Sequence, residues 1–104
     1  MGNYFLTNKA VEDLSGIWHY TYKAWSENQA DKYYNLLISF CEKISENPTI
    51  GRNYDEINKN IFGCRAGRHI IFYQIMKTFE IEVLRILHES MDLKNRIQEN
   101  ISQN

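Results

Sequence analysis

Arg65–Leu93 reads RAGRHIIFYQIMKTFEIEVLRILHESMDL, and the fold is decided there. Two runs rich in Ile, Val, Leu, Phe and Tyr, His69–Met76 and Glu80–Leu87, flank a polar break at Lys77 and Thr78. Runs of that length and β-branched content predict two antiparallel strands of a hairpin. Ile61–Ala66 predicts a third strand, with Ala66-Gly67-Arg68 as the turn into His69. Charged and polar groups sit among the apolar ones: Arg65, Arg68, His69, Arg85 and His88, then Glu89 and Asp92. In Glu80-Ile81-Glu82-Val83 the acids share one face, but Leu84-Arg85-Ile86-Leu87 breaks the alternation. Either a bulge near Val83-Leu84 turns Arg85 to the glutamate side, or Arg85 shares the face of Ile81 and Val83. A buried arginine would then need a carboxylate.

Upstream, Tyr4–Thr7 favours a short strand, and Thr7 or Asn8 can cap the helix that follows. Ala10, Leu14, Ile17, Trp18, Thr21, Tyr22 and Trp25 recur at steps of three and four, predicting a helix over 8–25. Glu12 and Asp13 are expected in its first turn, at the positive end of the dipole. Ser26 followed by Gln29 reads as a capping box. A second stripe (Ala30, Tyr33, Tyr34, Leu37, Cys41 and Ile44, widened by Ile38 and Phe40) predicts a helix over 27–46, ended by Asn47-Pro48. Helices joined so closely fold back as an antiparallel hairpin whose apolar face must cover a sheet. Residues 47–60 read as a polar connection pinned by Ile50, Tyr54 and Ile57. The expected fold is therefore α+β: a short N-terminal strand, then a helical hairpin packed on an antiparallel sheet that ends in a three-stranded meander. One domain fills residues 1–104, with 94–104 a polar tail expected to fray.

With 43% hydrophobic and 13% aromatic residues, the 104-residue chain can build one modest core. A formal net charge of −1 does not suit direct nucleic-acid binding. Cys41 and Cys64 are expected as free buried thiols. Scattered histidines and cysteines without paired spacing predict no metal site, and neither a phosphate loop nor a nucleophile motif predicts a cofactor. No apolar run approaches a membrane span and the N-terminus lacks signal-peptide character, so the expected location is cytoplasmic. Two surfaces remain. Arg65, Arg68, Arg85 and His88 could clamp a phosphate or serve RNA cleavage, or simply pair with nearby acids. The aromatic stripe Trp18, Tyr22, Trp25, Tyr33 and Tyr34 exceeds what so small a core can hold and could meet a protein partner.

The sequence resembles ParE-type toxins of the ParE/RelE superfamily of type II toxin–antitoxin systems. The resemblance is carried by DLSGIWHYT (Asp13–Thr21), WSENQA (Trp25–Ala30), ENPTIGR (Glu46–Arg52), Asp55-Glu56-Ile57, GRHIIFYQI (Gly67–Ile75) and RILHESMDL (Arg85–Leu93). It implies a helical hairpin on an antiparallel sheet, and a bacterial toxin of the plasmid-stabilising kind that inhibits DNA gyrase by direct binding. It also implies neutralisation by a ParD-like antitoxin, through which alone the pair would reach operator DNA. Target-contact candidates are Arg65, Arg68, His69, Tyr73, Arg85, His88, Glu89 and Asp92. Candidates for the antitoxin are Trp18, Tyr22, Trp25, Tyr33 and Tyr34. The related RelE branch cleaves ribosome-bound mRNA with basic residues and often a C-terminal tyrosine. This chain keeps arginines at Arg65 or Arg68 and at Arg85, but has no tyrosine beyond Tyr73. The ribonuclease is therefore the alternative, with Arg65, Arg68, Arg85 and His88 in its acid–base and electrostatic roles.

Overall fold

A computed structural model describes residues 3–91. Asp92 and the predicted polar tail lie outside the described residues. The chain runs as β1 (Tyr4–Leu6), α1 (Asn8–Ala24), α2 (Glu27–Glu46), a 3-10 turn (Pro48–Ile50), β2 (Arg52–Asn53), β3 (Phe62–Ala66), β4 (His69–Ile75) and β5 (Ile81–His88). Both helix starts use the side chains expected of them. Thr7 Oγ1 accepts from Ala10 N at 3.1 Å, and Ser26 Oγ accepts from Gln29 N at 3.1 Å. The first turn of α1 holds no acid. Glu12 and Asp13 come one turn later than the dipole argument required, and Asp13 is committed elsewhere.

The sheet order is β1-β5-β4-β3-β2. Strands β3 to β5 form the expected antiparallel meander and β2 pairs antiparallel with β3, but β1 pairs in parallel with β5, Tyr4 opposite Ile81 and Leu6 opposite Val83. Strand β1 therefore arrives at the edge of the meander, and α1 carries the chain away across one sheet face. Strand β2 was not foreseen: two polar residues carry no alternation to read.

The sheet buries both faces. Against the helices lie Cys64, Ile71, Tyr73, Ile81, Val83 and Ile86, packed on Ala10, Leu14, Leu37, Cys41 and Ile44. On the other face Ile70, Phe72, Leu84 and Leu87 are covered by Ile57 and Ile61, with Tyr54 against them. Residues 54–61 are thus a cover on the second face. Ile57 and Tyr54 pin it as expected, while Ile50 is exposed. Cys41 and Cys64 are free and buried, and burial pushes the Cys41 thiol up to about 12.

The irregularity in β5 is a bulge. Tyr73 lies opposite Val83 and Phe72 opposite Arg85, so Leu84 is the extra residue. Ile86 thereby returns to the helix side, opposite Ile71. The bulge falls where β1 ends. There Thr7 N donates to Val83 O at 3.1 Å and Thr7 Oγ1 to Leu84 O at 2.8 Å. One threonine thus starts α1 and ties off the sheet edge.

Candidate functional site

The bulge sets Arg85 at the margin between β5 and α1. Its Nε donates to Asp13 Oδ2 at 2.8 Å and its guanidinium Nη2 to Oδ1 at 2.9 Å, a two-pronged grip. Asp13 Oδ2 also accepts from Ile86 N at 3.0 Å. The side chains are 11% and 14% exposed, so the pair is close to fully desolvated. The first of the two alternatives holds: the strand is bulged and Arg85 lies opposite Phe72, off the face of Ile81 and Val83, yet it still meets a carboxylate, supplied by α1.

The other basic candidates gather at the β3–β4 turn. Arg65 pairs with Glu89 in a largely exposed contact. Arg68 is exposed, and its backbone is held from both sides: its N–H donates to Tyr33 Oη at 3.0 Å, and its carbonyl accepts from Glu89 N at 3.0 Å. Tyr33 is therefore a brace under this turn, where the sequence offered it as a partner contact. Gly67, with φ +62°, lies so close that a Cβ there would sit 2.8 Å from Tyr33 Cε1 and Oη.

His69 follows at once, its Nδ1 2.6 Å from Tyr33 Oη. Its ring meets that of His88 edge-on, centroids 5.2 Å apart. Burial, then the neighbouring His88, lowers His69 to about 4. His88 Nδ1 accepts from Ser90 N at 3.1 Å and lies 2.7 Å from Ser90 Oγ. A cavity of about 360 Å³ opens beside the two rings, between α1 and the end of β5, lined by Gly16, Ile17, Tyr20, His69, Ile86 and His88 among others.

The structure therefore joins His69 with His88 and Arg65 with Glu89, and does not draw the arginines around one point. Strand β4 lies between Arg65 and Arg85. Tyr73 is fully buried, its hydroxyl donating to Pro48 O at 2.6 Å and accepting from Gly51 N at 3.0 Å. It has no surface to give a target, and its role is to fasten the α2–β2 connection to the sheet. Among the described residues no group of His, Cys, Asp or Glu could hold a metal ion. Nor is any helix there long and apolar enough to cross a membrane.

The helical hairpin offers the second surface. A groove of about 630 Å³ runs between α1 and α2 beside β1, with Leu6, Val11, Leu14, Trp18, Asp31 and Tyr34 in its lining. Trp18 donates its indole N–H to Asp31 at 3.0 Å and stacks on Tyr22 at 5.3 Å. Beyond the groove the expected stripe leaves the core: Trp25 is 74% exposed. Tyr22 and Tyr34 are also exposed, as are Val11 and Tyr20, which the stripe did not include. Asp13 and Tyr33 act through contacts far along the chain, which spacing could not reveal.

Two helices laid on a sheet whose inner arginine is already matched define an α+β fold of the ParE/RelE kind. Two solved toxin–antitoxin assemblies share it. A chain of the chromosomal ParDE system from P. aeruginosa superposes with TM-score 0.73 at 18% identity, covering 85% of this chain and 96% of that one. A chain of the RelBE2 toxin–antitoxin complex from Mycobacterium tuberculosis gives 0.66 at 18%, covering 85% and 98%. Residues 4–93 match the family model described as ParE toxin of type II toxin-antitoxin system, parDE. Toxin ParE1 of Mycobacterium tuberculosis is 35% identical over 94 residues, 90% of this chain and 96% of that protein. Toxin ParE1 of Caulobacter vibrioides is 32% identical over the same shares. The chain belongs to the ParE family of type II toxin–antitoxin toxins.

Proposed function

We propose that this toxin acts by docking on DNA gyrase, and that a ParD-like antitoxin neutralises it by laying an amphipathic helix into the groove between α1 and α2. The Arg85–Asp13 pair carries the first half of the reading. An arginine gripped at two points in a site this dry is neutralised and cannot turn toward a scissile phosphate without breaking the pair. Tyr73, the last tyrosine of the chain, is buried with its hydroxyl engaged on both sides. A general acid needs a proton within reach of substrate, and Tyr73 has none to offer. Exposed Arg65 and Arg68, with half-buried His88 and Glu89 beside them at the end of β5, suit a mixed-charge contact with a protein. The groove, where Leu6, Val11, Leu14, Trp18 and Tyr34 lie among Ser15, His19, Asp31 and Asn35, suits an amphipathic helix presenting apolar anchors beside polar and basic residues. The ParDE and RelBE2 assemblies, solved as toxin–antitoxin systems, support an antitoxin partner.

Supercoiling by purified gyrase tests the target. Inhibition should appear at near-stoichiometric toxin and vanish when the antitoxin is added first. Undiminished supercoiling at large excess of toxin overturns the gyrase reading. Discrete cuts in translated messages, read by primer extension, would establish the ribonuclease alternative.

A further inference from the structure

The β4–β5 hairpin ends in a loop that works against its own sequence. Phe79 N donates to Met76 O at 2.8 Å, and Met76 N donates to Glu80 O at 2.8 Å. These bonds close a three-residue loop, Lys77-Thr78-Phe79, whose last residue is left-handed, with φ +64° at Phe79. Loops of this build ordinarily place glycine there, because a Cβ crowds the backbone. A bulky aromatic at that angle is a backbone outlier. The same residue is 80% exposed, and among the described residues its ring stacks on no other. Phe79 is thus unfavourable twice over, once in its backbone and once in its hydration, and no contact among the described residues repays either.

We propose that Phe79 is a binding anchor: a rigidly presented ring that inserts into an apolar pocket on the folded protein this toxin targets. The inference rests on the reading that the target is a protein. It adds a contact at the end of the sheet away from His69 and His88, since β4 and β5 run antiparallel between the two ends. A second copy of this chain does not fit as the occupant. Two such tips would bury about 150–250 Å² for each ring, far below the roughly 1,200 Å² of a stable interface. An antitoxin helix does not fit either. The α1–α2 groove is lined without Phe79, and an isolated helix is convex, with no cleft to take a protruding ring. A preformed pocket on a larger protein fits the shape, and a hairpin held by ladder bonds presents the ring at little entropic cost.

The test compares the full-length wild type with Phe79→Asn and Phe79→Trp. Asparagine tolerates the left-handed angle and removes the ring, so its Tm should equal or exceed the wild type's. Affinity for the product of the adjoining antitoxin reading frame should stay within about threefold, as for an uninvolved surface position. Gyrase inhibition and growth arrest should weaken by about 30-fold or more, the loss expected of an anchor, and Phe79→Trp should keep most of both. Phe79→Asn as potent as wild type overturns the proposal. So does an equal loss of antitoxin affinity, or a wild-type dimer that Phe79→Asn dissolves, because each names another occupant. If the wild type arrests growth but leaves gyrase untouched, the gyrase reading alone falls, and arrest by Phe79→Asn decides the anchor. A wild type that arrests nothing overturns both.

Discussion

Asp13 and Arg85 stand 72 residues apart in sequence, yet one carboxylate receives Arg85 Nε at 2.8 Å, Arg85 Nη2 at 2.9 Å and the Ile86 backbone N–H at 3.0 Å. Helix α1 is thereby bonded to the stretch of β5 that β1 leaves uncovered beyond the bulge. Removing one member of such a pair strands a charge in a dry site. Asp13→Ala should cost about 3–5 kcal/mol in urea unfolding. The double variant Asp13→Ala with Arg85→Ala should lose less than the sum of the singles, since the orphaned charge is gone. If Arg85→Ala abolished toxicity while stability in the double cycle stayed additive, Arg85 would be a working residue and not a brace.

His69 makes stability depend on pH. Its pKa in the fold, about 4, lies below the ordinary histidine value of 6.5, because burial and His88 disfavour the charged ring. The unfolded chain therefore binds a proton that the folded one refuses. The stability this group contributes is fully present above pH 6.5, drains away as pH falls toward 4, and is level below that. Solvent access trims the ideal value, leaving a loss of about 2 kcal/mol across the window. His69→Gln should flatten that limb of the stability–pH curve. An unchanged slope would mean the ring takes up its proton alike in the folded and the unfolded chain, so that burial does not act on it.

Tyr73 separates family-style expectation from geometry. Tyr73→Phe should cost about 1–2 kcal/mol, since Gly51 N loses its acceptor where it is part-buried and Pro48 O its donor. If gyrase is the target, its inhibition per folded molecule should not change. A selective loss of inhibition with full stability would return Tyr73 to the contact surface.

Much of this was legible in the chain. Thr7 and Ser26 announced both helix starts, Asn47-Pro48 announced the end of the second, and the β-branched runs announced the meander. These are local signals, decided within a few residues. The bulge was legible as a broken alternation at Leu84-Arg85, but its consequence was not, because the partner that decides it sits on α1. The same holds for Tyr33, which spacing placed on an aromatic stripe and the fold placed under Gly67 and Arg68. The parallel docking of β1 and the cover formed by Ile57 and Ile61 are likewise matters of long-range pairing. Phe79 is the reverse case: its identity was plain and its backbone angle was not.

Trp25 and Trp18 look equivalent in sequence, seven residues apart on one helical stripe, yet the structure gives them different burdens. Trp25 is 74% exposed, and its cap contribution to α1 is a backbone bond, from its N–H to Thr21 O at 2.9 Å. Trp25→Ala should therefore leave stability within about 0.5 kcal/mol. Trp18 is half-buried in the groove, donates to Asp31 and stacks on Tyr22. Trp18→Ala should cost about 1–3 kcal/mol of stability through lost packing, since exposed Asp31 takes water in place of the indole. It should also weaken the antitoxin by about tenfold or more if the groove receives its helix. Calorimetric titration of both variants, each checked for folding, reads the two effects separately. If Trp25→Ala weakened the antitoxin and Trp18→Ala did not, the helix would lie across the outer ridge of α1 and not in the groove.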